Sequence, residues 1–177
     1  MRFAIREGRP NDRKAIFAML REFMDYFAAI DPEEAGTDTG YSDRELAKAA
    51  GLGFARDPLC AALIAEANGR PVGYLAYHFG LWEIYPALFI AGLFVTARAR
   101  KRGVGRALMA EAQRLAAARG ATRIAWMVWR KNAPAIGFYE QLGAEPYDAN
   151  LQMVWQVAKP RRERPRKATP AKRKRKP

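Results

Sequence analysis

The stretch that most constrains this chain is "ALFIAGLFVTARARKRGVGRALMAEAQRLAAAR", residues 87–119. It opens as an uninterrupted apolar run, the pattern of a strand buried on both faces. A basic loop with glycines at 103 and 105 interrupts it. A helical period then resumes, with Ala107, Leu108, Ala112, Leu115 and Ala116 on one side. A strand that delivers into a glycine loop and then a helix is a phosphate cradle by physical logic. The first amides of a helix lack partners and sit at its positive dipole end. Glycines let a pyrophosphate approach the backbone closely, and Arg98, Arg100, Lys101, Arg102 and Arg106 surround the loop with charge. The loop matches neither G-x-x-x-x-G-K-[ST] nor G-x-G-x-x-G, and a basic RNA-binding loop shares its ingredients.

The elements around this unit follow from periodicity. "RFAIRE" alternates as a strand, and Asp12 is placed to cap a helix over 13–30 that buries Ile16, Met19, Leu20, Phe23, Met24 and Phe27. Ser42-Asp43-Arg44-Glu45 is a capping-box pattern that opens a short helix ending near Gly51. "LCAALIAEA" and "PVGYLAYHF" read as strands joined by the hairpin signal "NGR", followed by "LWEIYP" as a connection. Beyond the central helix come a strand "RIAWMVW", a helix "APAIGFYEQLG" and a final strand "LQMVWQVA". This interleaving of strands and helices predicts an α/β chain, a mixed sheet with helices packed on its faces.

Charge divides the chain in two. The net charge is +13, and residues 159–177 hold 11 Lys/Arg against the single acid Glu163. Ten of the net positive charges therefore lie in that tail, leaving +3 for residues 1–158. The tail has prolines at 160, 165, 170 and 177 and no apolar period. It is expected to be disordered beside one folded domain, 1–158. It is suited to non-specific contact with nucleic acid, and equally to remaining solvated without a partner. Cys60 is the only cysteine, so no intrachain disulfide can form, and a cytoplasmic location is the default expectation. "MRFAIREGRP" has no apolar h-region, and no apolar stretch approaches the ~18 residues of a membrane span, so neither a leader nor a membrane anchor is expected.

Arg100-Lys101-Arg102-Gly103-Val104-Gly105 fits [QR]-x-x-G-x-[GA], and "KNAPAIGFYEQLGA" (131–144) supplies Asn, then Phe-Tyr, then Leu-Gly. The two motifs together resemble the GNAT N-acetyltransferase superfamily, most closely its diamine acetyltransferase branch. The resemblance implies a mixed, mostly antiparallel sheet of six to seven strands with helices on both faces. It also implies a homodimer, acetyl-CoA as acetyl donor, an amine as acceptor, and no metal. Leu93, Phe94 and Val95 would hydrogen-bond the pantetheine arm, with Phe94 and Val95 polarising the thioester oxygen. The amides of Arg102, Gly103, Val104, Gly105, Arg106 and Ala107 would hold the pyrophosphate, aided by Arg100 and Lys101. Asn132 would contact the cofactor arm while capping its helix, and Tyr139 would be the general acid.

The chain departs from that branch at Ala91-Gly92, where the diamine enzymes carry an adjacent Glu-Asp pair. Glu83 is the first choice as a substitute base acting through water, and Glu22 and Asp25 could line the acceptor groove. For all three carboxylates, an ordinary solvated role competes. Core packing competes with catalysis for Tyr139 and is the expectation for His78, Cys60, Trp126 and Trp129. Two functions follow: acetyl transfer to a small, peptide or protein amine, or a nucleic-acid-associated protein with a catalytically degenerate acetyl-CoA-binding domain. A retained Tyr139 and Asn132 favour the enzyme.

Overall fold

A computed structural model describes residues 1–31, 41–147, 149 and 153. The chain divides into a compact unit, Met1–Ala144, and a second, Glu145–Pro177. Most of the second, with the expected last strand, the 158/159 boundary and the basic tail, lies outside the described residues.

Five strands are described: β1 (Ala4–Glu7), β2 (Ala61–Ala67), β3 (Arg70–Trp82), β4 (Tyr85–Val95) and β5 (Arg123–Trp126). They form one sheet in the order β1-β2-β3-β4-β5. The first four pair antiparallel and β5 joins β4 in parallel. Four helices accompany them: α1 (Arg13–Ile30), α2 (Asp43–Ala49), α3 (Val104–Ala118) and α4 (Ala133–Glu140). The mixed, mostly antiparallel sheet is the one expected, with fewer strands among the described residues than the six or seven anticipated.

Each face of the sheet has its own core. Ile16 and Met19 of α1 pack with Ile64, Tyr74 and Phe94 on one side. Leu108, Met109, Ala112 and Ala116 of α3 pack with Leu63, Leu75, Leu88 and Ile90 on the other. Leu108, Ala112 and Ala116 lie on the stripe that the helical period selects, with Leu115 packed against it; Met109 joins the core from outside that stripe, and Ala107 is only partly buried. Ser42 and Glu45 form the expected capping box on α2, and Asn68-Gly69 makes the β2–β3 turn with positive φ at both residues.

Three local expectations change. "LWEIYP" is not a loose connection, because Trp82 pairs with Tyr85 and only Glu83-Ile84 turns the chain. Phe89 fixes this hairpin by stacking on both His78 and Trp82, above Gly80, where an added Cβ would meet its ring at 3.2 Å. Secondly, β5 stops at Trp126 instead of continuing to Trp129.

Asp12 is the third change. Its carboxylate does not cap α1 but turns back to accept from Arg9 N (2.7 Å) and from both terminal nitrogens of Arg6 (2.8 and 2.9 Å). Arg6 also reaches Glu66, so one guanidinium ties β1 to β2 and to the start of α1. The hydrogen bonds from Arg6 hold the Asp12 carboxyl below its ordinary range, against the opposing effect of burial. Arg6→Ala would strand a buried carboxylate and should cost about 2–3 kcal/mol, read by urea denaturation at pH 7. A carboxyl depressed in the folded state stabilises above its unfolded pKa near ~4 and loses that contribution as pH falls through its folded value. The wild-type advantage over Arg6→Ala should therefore shrink below pH ~4.

Candidate active site at the β4–β5 fork

The site originates in a bulge. Tyr77 of β3 faces Ile90 of β4, whereas the next residue, Ala76, faces Gly92, so Ala91 is the extra residue. Leu88 and Ile90 pack on the α3 side before it, and Leu93 and Val95 pack there after it. A bulge bends its strand and increases local twist. The pairing of β4 with β5 ends where this one begins, at Ile90 and Trp126, yet β4 continues to Val95. The two chains diverge beyond that point into a fork.

One wall of the fork is the free edge of β4. Thr96 N donates to Val72 O at 3.0 Å, so strand alternation turns the Phe94 backbone toward β3 as well. Leu93 and Val95 then present their backbone groups to the open side. This revises the expected pair, Phe94 and Val95: the side chain of Phe94 is core and its amide faces the neighbouring strand. The other wall is the segment after β5, where Met127 is 79% exposed and Val128 37%.

At the far end of β4 lies the glycine loop. Gly103 has φ +81 and caps α3 from the left-handed region, where a side chain would be strained. The ladder of α3 begins when Ala107 N donates to Gly103 O at 3.0 Å. The amides of Val104, Gly105 and Arg106 therefore face out of the helix start, while that of Ala107 is engaged. Lys101, Arg102 and Arg106 are exposed around them. An extended arm along the Leu93–Val95 edge with an anion at this helix start fits these groups.

Two motif residues have different employment from that expected. An added Cβ on Gly105 would lie 3.2 Å from Phe138 Cζ, so this glycine makes room for an aromatic ring of α4. Arg100 turns its side chain inward. Its Nε donates to Val95 O at 3.0 Å, and its guanidinium lies 4.6 Å over the Tyr26 ring and 5.4 Å over Phe94.

The second motif converges on the fork. Asn132 caps α4 by accepting from Ala135 N at 3.2 Å, and also accepts from Tyr26 Oη at 3.0 Å. Its Nδ2 makes no hydrogen bond among the described residues. Tyr139 packs on Trp126, the last paired residue of β5, with ring centroids 4.8 Å apart. Burial pushes its phenol up to about 12.

The expected bases fare unequally. Glu83 is at the hairpin tip, eight residues from Ala91 and roughly 25 Å away along an extended strand. The structure does not bring it to the fork. Glu22 accepts from Ala97 N at 2.7 Å and lines a groove of about 520 Å³ with Met19, Thr96 and Arg98. Asp25 is exposed. His78 is exposed rather than buried, stacked on Phe89 at 5.1 Å. Burial raises the Cys60 thiol, which suits a packing role. Trp129 stacks on Phe27 of α1 at 4.3 Å instead of on the sheet. Sequence reasoning missed Tyr26 and Phe27 as site residues, because both fit within an ordinary amphipathic stripe.

The profile of the acetyltransferase (GNAT) family matches residues 16–144. The chain belongs to this family. Solved structures agree on the fold of the acetyltransferase. A possible acetyltransferase from Clostridium difficile 630 superposes with TM-score 0.70 at 16% identity, over 88% of this chain and 99% of that one. An aminoglycoside acetyltransferase from an uncultured soil metagenomic sample gives 0.60 at 25% identity, over 89% and 100%. An aminoglycoside N-acetyltransferase solved in complex with CoA gives 0.64 at 19% identity, over 88% and 96%. Among the described residues, no helix is long and apolar enough to cross a membrane.

The loop is testable by calorimetry. Gly105→Glu would drive a carboxylate into both Phe138 and the anion position, and should abolish acetyl-CoA and CoA binding. Gly105→Ala asks the ring to yield only a few tenths of an ångström and should weaken binding several-fold. Pantetheine binding as tightly as CoA would remove the pyrophosphate from this loop.

Proposed function

We propose that this acetyltransferase moves the acetyl group of acetyl-CoA directly to a primary amine, borne by a small molecule, a peptide or a protein. The observation that carries the proposal is the fork: an open strand edge leads from Tyr139 and the bulge to an unpaired helix start. The pantetheine arm would add to the edge at Leu93–Val95 as an extended partner. The amides there would polarise the thioester oxygen. The amine nitrogen bonds to the thioester carbon, the carbon–sulfur bond breaks, and the leaving sulfur takes the Tyr139 proton. The attacking nitrogen, cationic after bonding to carbon, loses its extra proton as the amide forms, and that proton returns to the phenolate through water.

The raised pKa acts in two directions. At about 12 the phenol remains protonated at every working pH, so the donor form is always present. Full transfer to a thiolate with a conjugate-acid pKa near ~8.5 is uphill by about 3–4 units, so the role fits a proton shared with the sulfur as the carbon–sulfur bond breaks. Polyamines are poor candidates for the acceptor, since Ala91 and Gly92 put no carboxylate at the fork. Among the described residues the nearby acids Glu22 and Asp31 are already engaged, by Ala97 N and by Lys131. The competing reading, a degenerate acetyl-CoA sensor, has no need of a general acid, and packing on Trp126 would be served as well by a phenylalanine ring.

Tyr139→Phe should lower kcat by roughly 10²–10⁴-fold and leave acetyl-CoA affinity nearly unchanged. The ratio of wild-type to variant kcat should be flat from pH ~7 to ~10, because a group with a raised pKa keeps its proton throughout that window. Thiol release from acetyl-CoA across an amine panel reads both, and equal turnover would reduce Tyr139 to packing. The basic tail is proposed to hold polyanions independently of this chemistry. Truncation after Ala158 should remove retention on duplex DNA, whose salt dependence should follow a log–log slope of about −0.9 per phosphate contact. The truncated chain should keep its acetyl-CoA affinity.

A further inference from the structure

Among the described residues no backbone ladder joins β4 to the segment after β5 beyond Ile90 and Trp126, so something else must fix the width of the fork. On the α3 side, Phe138 fills the space over Gly105. On the α1 side a single tyrosine reaches both walls. The Tyr26 ring lies 4.6 Å beneath the Arg100 guanidinium, and Arg100 Nε holds Val95 O at 3.0 Å. The Tyr26 hydroxyl donates to Asn132 Oδ1 at 3.0 Å, and Asn132 caps the helix that carries Tyr139.

We propose that Tyr26 is a positioning residue that sets the width of the cofactor cleft, through Arg100 on the β4 wall and Asn132 on the opposite wall. The proposal rests on the reading that the Leu93–Val95 edge receives the pantetheine arm. Two features make it more than packing. The hydroxyl spends its bond on a side chain that is already a helix cap, so it fixes the start of α4 and, with it, which way Asn132 Nδ2 points. The aromatic face, meanwhile, stacks against the guanidinium whose Nε reaches the strand carbonyl. Glu22, one turn earlier on α1, accepts from Ala97 N, and Phe27 stacks on Trp129. The same helix therefore grips both walls at further points, and among the described residues Tyr26 is the side chain that bridges them.

The two halves of the tyrosine can be separated. Tyr26→Phe keeps the ring beneath Arg100 and removes the bond to Asn132, and Tyr26→Leu removes both. Calorimetry with CoA should show affinity falling about three- to tenfold in Tyr26→Phe and further in Tyr26→Leu, while thermal melting confirms that Tyr26→Phe remains folded. Because the hydroxyl acts through Asn132, Tyr26→Phe should cost little once Asn132→Ala is present, so the double variant should bind CoA as the Asn132→Ala single variant does. Unchanged CoA affinity in folded Tyr26→Phe, or losses that multiply independently in the double variant, would overturn the proposal. Should Tyr26→Phe not fold, Asn132→Ala against Tyr26→Leu/Asn132→Ala decides it, since the ring contribution through Arg100 must then persist. Failure of the wild-type protein to bind CoA would instead overturn the underlying assignment of the cleft.

Discussion

One extra residue in one strand governs the active end of this molecule. With Ala91 unpaired, β4 changes phase between Ile90 and Leu93. Side chains that alternated onto the α3 face from even positions do so from odd positions thereafter. Had the strand continued in register, Phe94 would have lain under α3 and the core on the α1 side would have lost its largest β4 contribution. The bulge satisfies both cores and, in bending the strand, separates it from β5. Burial on the two faces and the opening of the cleft are thus one geometric event. The cleft walls are then backbone, which offers an extended ligand the same bonds that a neighbouring strand would have taken.

The fork also explains why α1 is so occupied. A helix that only covered a sheet would need apolar residues facing inward, and Ile16 and Met19 meet that need. The later turns of α1 do more: Glu22, Tyr26, Phe27 and the buried Asp31 each bind a group on the cleft rim. Asp31 is 3% exposed and is paired with Lys131, so the helix end is tied to the loop entering α4. The chain spends its polar contacts where the sheet has given up its own.

Local periodicity made most of the fold legible. The limits of α1, the capping box at Ser42, the Asn68-Gly69 turn and the buried stripe of α3 are short-range patterns, and each is present. The loop of Gly103 and the α4 motif were likewise readable, since both rest on residue types at fixed spacing. Long-range features were not. "IAWMVW" is apolar enough to remain a strand, and only the departure of β4 ends it at Trp126. Glu83 seemed close to the cofactor strand because "LWEIYP" read as a loop; cross-strand stacking of Phe89 on His78 and Trp82 converts that loop into hairpin and carries the glutamate away. Asp12 carries an ideal capping residue type, but Arg6 lies within reach across the chain reversal and wins its oxygens.

Gly105 bears on what a motif testifies to. Its missing side chain leaves room for Phe138, and Gly103 is needed for a left-handed turn whether or not an anion follows. Both glycines are therefore requirements of folding before they are requirements of binding. A descendant of this chain that had abandoned acetyl-CoA would still be held to the same spacing by its own packing. The glycine signature marks ancestry and architecture, and the outward amides of Val104 to Arg106 come with the helix itself, so the hydroxyl of Tyr139, which packing on Trp126 does not require, is the part of the motif that speaks to chemistry and not to folding.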